Sequence, residues 1–146
     1  MKQRIEMGKV APAAYEAMRT LSKYTGECGL EASLLELVKI RASQINGCAF
    51  CLHMHARDAR KLGETEMRLH LLPAWRESPG YTDRERAALT WTEALTLLTE
   101  GHAPDSVYEE VRAQFSEEEV AKLSLAIAVI NCWNRLAVGM RFLPKL

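Results

Sequence analysis

Apolar residues in this chain recur at spacings of three and four, and no stretch alternates apolar and polar residues over a useful length. That period restricts the fold to packed helices, because a strand needs a period of two and a helix one of about 3.6. The breaks between periodic segments are explicit. Pro12 opens a segment carrying Tyr15, Met18 and Leu21 that ends at Gly26. Leu34, Leu35, Leu37, Val38, Ile40 and Ile45 mark a second helix, from about Glu31 to Asn46. Asn46-Gly47 is a breaker, and a third helix runs from Cys48 to Leu62, closed by Gly63. A short helix from about Glu64 to Leu72 stops at Pro73, and Trp75 to Tyr81 is expected as a loop. Thr82 with Glu85, and Ser116 with Glu119, repeat the capping-box pattern. They open helices to about Glu100 and Val138, and between them Asp105 is expected to cap a helix to about Gln114. The expectation is an all-α fold of six to seven helices.

At 146 residues, with no linker, repeat or charge block, residues 1–146 read as one domain able to bury its own core. Nineteen basic side chains balance nineteen acidic ones, so no global field steers the chain to nucleic acid or to an anionic membrane. The most apolar stretch, Ala121 to Met140, is interrupted by Lys122, Asn131, Asn134 and Arg135 and reads as a buried helix, not a membrane span. Met1-Lys2-Gln3-Arg4 is charged and no apolar run follows it, so a signal peptide is not expected and the cytoplasm is the expected compartment.

In that reducing setting, two thiols three residues apart suggest catalysis or metal binding before they suggest a structural staple. Cys48 and Cys51 are such a pair, and His55 follows one helical turn later on the same face. Two local arguments assign the nucleophile differently. The helix N-terminus favours a thiolate at Cys48, whereas His55, four residues after Cys51, is placed to take that thiol's proton. Spacing leaves the order open. Cys28 and Cys132 stand apart and are expected to pack in the interior, Cys132 within the apolar last helix.

Cys48, Cys51, His53 and His55 also offer four potential zinc ligands. Structural zinc sites draw ligand pairs from two separated segments, because one helical turn cannot surround a tetrahedral ion, and His53 would point away from Cys51. No metal or other cofactor is therefore expected.

Glu36, together with the run Ser43-Gln44-Ile45-Asn46-Gly47-Cys48-Ala49-Phe50-Cys51-Leu52-His53-Met54-His55, resembles the alkylhydroperoxidase D-like core of the carboxymuconolactone decarboxylase superfamily. The likeness is close from about Leu34 to Gly63 and looser beyond, where Asn134-Arg135-Leu136-Ala137-Val138-Gly139 also suits the family. The resemblance implies a thiol-based peroxidase. In it Cys51 attacks a hydroperoxide, Cys48 resolves the product to a disulfide, and Glu36 and His55 relay the proton. It further implies a dithiol reductant of lipoyl or thioredoxin type and a homo-oligomer, whether dimer, trimer or hexamer.

Glu36 would not be selected from spacing. On one unbroken helix it lies about 18 Å from Cys48, and it joins the site only if the chain folds back near Asn46-Gly47 or if packing brings the two helices together. Two alternatives are carried forward: a carboxymuconolactone decarboxylase-like enzyme, which the thiol pair speaks against, and a zinc-binding or redox-sensing interaction module.

Overall fold

The computed structural model describes residues 1–145; the expected domain extends to Leu146, which lies outside the described residues. Eight α-helices and two 3₁₀ turns, with no strand, are found among the described residues. They are α1 (Met7–Val10), α2 (Pro12–Gly26), α3 (Ala32–Asn46), α4 (Ala49–Lys61), α5 (Glu66–Leu71), α6 (Asp83–Thr96), α7 (Asp105–Gln114) and α8 (Glu117–Met140).

The chain therefore has more helices than the six to seven expected. The addition is α1, a single turn whose one buried residue, Met7, gives no periodic signal. The short helix ends at Leu71, just before Pro73, as expected. Pro73 sits at the start of a 3₁₀ turn, Leu72–Ala74, where its missing N–H costs nothing. The helix opened by the Thr82 capping box ends at Thr96, short of Glu100. Beyond it lie a separate 3₁₀ turn, Leu98–Glu100, and two left-handed residues, His102 and Ala103. Asp105 is the first residue of α7, not its cap, because Pro104 occupies that place. Both capping boxes form as written, with Thr82 accepting from the Glu85 N–H and Ser116 from the Glu119 N–H.

Helix α3 is the axis of the fold. Leu34, Leu35, Leu37, Val38, Ile40, Ala42 and Ser43 are all buried, so it is enclosed by α4, α6 and α8 on different sides. One apolar cluster joins Leu34, Leu35 and Val38 to Ala88 and Trp91 of α6 and to Leu123 and Ile127 of α8. A second joins Leu37 and Ile40 to Leu72, Trp75, Tyr81 and Leu89, so the two loop aromatics are core residues. The third is small and holds the thiols: Ala42, Cys48, Cys51, Ile130 and Ala137, flanked by Phe50, Trp133 and Phe142.

Helix α8 is long and apolar enough to cross a membrane by length and composition, yet 44 % of its apolar window is buried against the rest of the protein. Its composition is apolar nearly all round, so sequence does not reveal which face is inside. That explains one correction: Cys132, expected in the interior, is exposed on the outer face of α8, with its Sγ 3.6 Å from Met18 Sδ. Cys28 is buried, as expected.

Candidate active site

The fold-back that Glu36 requires is made by Gly47. Its φ of +67° lies in the left-handed region, where a side chain would be strained, and it ends α3. The Cys48 N–H then donates to the Ser43 carbonyl at 3.0 Å, and α4 begins at once in the opposite sense. Asn46 secures the turn from outside. Its Nδ2 donates to Asn131 Oδ1 and to Asn134 Oδ1, both at 2.9 Å, tying the end of α3 to α8. Asn134 in turn donates to Ser43 Oγ at 3.0 Å, and Asn131 to Thr96 Oγ1 at 3.0 Å. The two buried amides thus satisfy one another's neighbours across a helix interface.

Cys48 is the cap of α4, not its first residue. Its Sγ accepts the Cys51 N–H at 3.3 Å. The two cysteines are joined as a disulfide, their Cα atoms 5.4 Å apart, and each is only 1 % exposed. Four residues on, His55 Nδ1 lies 2.8 Å from Glu36 Oε2, the carboxylate having come across from α3. Lys39, one turn after Glu36, donates to its other oxygen at 2.7 Å. Glu36 is buried, contrary to a solvated helix-face position. Burial alone pushes its carboxyl upward, but the hydrogen bonds and charges of His55 and Lys39 outweigh that and hold it below the usual carboxylate value. An ionised Glu36 only accepts, so Nδ1 carries a proton toward it and Nε2 is left free to accept one.

Cys51 and His55 face a cavity of about 240 Å³. Tyr15 of α2, Phe50 and Met54 of α4, Trp133 of α8 and Phe142 form much of its wall, with Lys39 and Arg19 also lining it. Cys48 does not line it. Of the two bonded sulfurs, the cavity therefore presents that of Cys51.

All four residues singled out from the sequence, Glu36, Cys48, Cys51 and His55, come together. His53 is only half-buried, and Arg57 is exposed and paired with Asp58. Among the described residues no three His, Cys, Asp or Glu side chains are grouped to hold a metal ion. Sequence reasoning did not select Arg19 and Tyr15, which lie on α2, or Lys39, which lies one turn after Glu36, as site residues. The signal for the amide clamp was present in the sequence: two asparagines on an apolar helix, and a third at a helix end.

Fold and site define a small all-α protein in which a cysteine pair at a helix start opens onto an apolar cavity beside a His–Glu pair. The chain belongs to the carboxymuconolactone decarboxylase family, whose model matches residues 11–94, and it is an alkylhydroperoxidase D-like member. It is 44 % identical over 140 residues to the uncharacterized protein YdfG of Bacillus subtilis, covering 96 % of this chain and 95 % of that one. The crystal structure of an Agrobacterium tumefaciens protein of unknown function, proposed to be the antioxidant defence protein AhpD, superposes with a TM-score of 0.97. The two share 46 % identity, and the match covers 99 % of each chain. The debrominase Bmp8 shares the fold at a TM-score of 0.81, with 22 % identity over 95 % of this chain and 74 % of its own.

Proposed function

We propose that this protein is a thiol-dependent peroxidase that cycles between a dithiol and the Cys48–Cys51 disulfide. The observation that carries the proposal is the disulfide itself, bonded beside a hydrogen-bonded His55–Glu36 pair, with Cys51 on the cavity wall. In the reduced protein His55 Nε2 takes the Cys51 proton, and Glu36, kept ionised by its contacts with His55 and Lys39, holds the ring and stabilises the imidazolium. The Cys51 thiolate attacks the distal peroxide oxygen and the O–O bond breaks. The alkoxide leaves as an alcohol with the proton from His55, and Cys51 becomes a sulfenic acid. Cys48 then attacks the Cys51 sulfur and water is released, which halts oxidation before the irreversible steps. An external dithiol returns two electrons and two protons and is itself oxidised.

This assigns the attack to Cys51 and gives the helix N-terminus a different task. The Cys51 N–H bond to Cys48 Sγ stabilises a thiolate on Cys48, the sulfur that must leave when an incoming thiol reduces the bond through the cavity. Lactone decarboxylation needs no such pair, whereas the peroxidase cycle uses all four residues.

The test is hydroperoxide consumption with a panel of small dithiols, wild type against Cys51→Ser. Wild-type protein should turn over while losing two free thiols per disulfide formed, and Cys51→Ser should fall to background. Two thiols that stay reduced under excess hydroperoxide would overturn the proposal.

A further inference from the structure

The side chains lining the cavity beside Cys51 include two cations, Arg19 and Lys39, and no carboxylate. Lys39 is committed, its Nζ 2.7 Å from Glu36 with both groups largely buried. Arg19 is not. Its ion pair with Glu16, one turn earlier on α2, is long at 3.8 Å, and the two side chains are 63 % and 66 % exposed. Such a pair is worth almost nothing and competes weakly with a ligand. Arg19 therefore brings a nearly uncompensated guanidinium to the rim of a space whose walls are largely apolar, Tyr15, Phe50, Met54, Trp133 and Phe142 among them, with Ser22 and Thr25 as smaller polar members.

The size of the space matters as well. About 240 Å³ is the volume of roughly eight liquid waters, far more than hydrogen peroxide occupies. Largely apolar walls with one uncommitted charge are the pattern of a site for an organic molecule whose orientation is fixed by one polar group. A planar guanidinium matches a carboxylate with two parallel hydrogen bonds.

We propose that the cavity takes an organic hydroperoxide bearing a carboxylate: the apolar body lies against Trp133 and Phe50, the peroxide reaches Cys51, and the carboxylate pairs with Arg19. Arg19 is then a specificity residue, since it touches the substrate far from the reacting oxygens. The inference rests on the peroxidase reading for its chemistry, but not for the binding itself.

The test compares a carboxyl-substituted aryl hydroperoxide with its methyl ester, in wild type, Arg19→Gln and Arg19→Lys. The wild-type preference for the acid, as the ratio of the two kcat/KM values, should fall about tenfold in Arg19→Gln, the size of one charge-assisted hydrogen bond. It should fall through KM, not kcat, and return only in part in Arg19→Lys, which keeps the charge but not the paired hydrogen bonds. A ratio unchanged by Arg19→Gln overturns the assignment. A second arm measures calorimetric binding of the corresponding alcohols, acid and ester, to the disulfide form, where no turnover is possible. Acid binding that depends on Arg19, with no hydroperoxide consumed, upholds the site and removes the peroxidase reading. Consumption without any Arg19 dependence does the reverse, and equal or absent binding of acid and ester also overturns the site.

Discussion

Replacing Asn134 with alanine should loosen the turn that carries Cys48, and the structure sets the size of the effect. Asn134 is 1 % exposed and Ser43, its partner, is fully buried. The substitution removes the acceptor for Asn46 Nδ2 and the donor to Ser43 Oγ. Each bond contributes about 1 kcal/mol, and leaving the buried Ser43 hydroxyl short of a donor costs about 1 kcal/mol more. Asn46 is not orphaned, because it keeps Asn131 Oδ1 at 2.9 Å. The total, about 3 kcal/mol, corresponds to a fall in Tm of about 10 °C for a chain of this length. Urea and thermal unfolding followed by circular dichroism measure it, and the Asn46→Ala/Asn134→Ala double-mutant cycle should return a coupling of about 1 kcal/mol. The local effect is read by hydrogen exchange at the Cys48 amide, whose acceptor is the Ser43 carbonyl. Leu123→Ala, a core truncation in α8 remote from the turn, serves as a control of similar cost. The reasoning fails if Asn134→Ala lowers Tm by less than about 3 °C, or if it exposes the Cys48 amide no more than Leu123→Ala does.

Two further outcomes separate the roles of charged and sulfur groups. In Cys48→Ser under limiting hydroperoxide, a sulfenic-acid trap should label Cys51. Labelling of Cys48 in Cys51→Ser at a comparable rate, with none in Cys48→Ser, would reverse the order of attack. Burial pushes the Glu93 carboxyl upward, but hydrogen bonds from Trp75, Arg76 and Arg41 outweigh it, so its folded pKa is lowered. The unfolded chain then binds more protons as pH falls through the ordinary carboxylate range, and the stabilisation present above that range is lost on acidification. Glu93→Gln should therefore be less stable at neutral pH and show a shallower loss of urea midpoint below about pH 4.5. An unchanged slope would remove Glu93 from the acid response.

The helices were legible because their signals are local. Two capping boxes, Gly26, Gly47 and Pro12 each act within one turn, and each marks an observed boundary region. The failures occur where local signals conflict or fall silent. The helix from Thr82 breaks into a 3₁₀ turn before Glu100, α1 is too short to have a period, and the apolar periphery of α8 hid the exposure of Cys132. The site was legible in part for the same reason. Cys48, Cys51 and His55 lie within eight residues, so one helix fixes their relation. Glu36 depends on a single φ angle at Gly47, and a residue-spacing argument sees the glycine without seeing where the chain goes next.

The cavity shows the same division at a larger scale. The disulfide, His55 and Glu36 are carried by the α3–α4 hairpin, inside the stretch that the family model matches. The cavity wall is completed from α2 and from Ala126 to Phe142, and the latter lies beyond residue 94, where that match ends. A hairpin held by one glycine and one asparagine clamp can keep its redox geometry while residues such as Arg19 and Trp133 change, because neither bonds to the thiols or to the His–Glu pair. Under the proposed peroxidase cycle, chemistry and selection are therefore physically separable: substitutions on α2 should move KM among hydroperoxides, whereas substitutions in the hairpin should move the thiol chemistry for all of them at once.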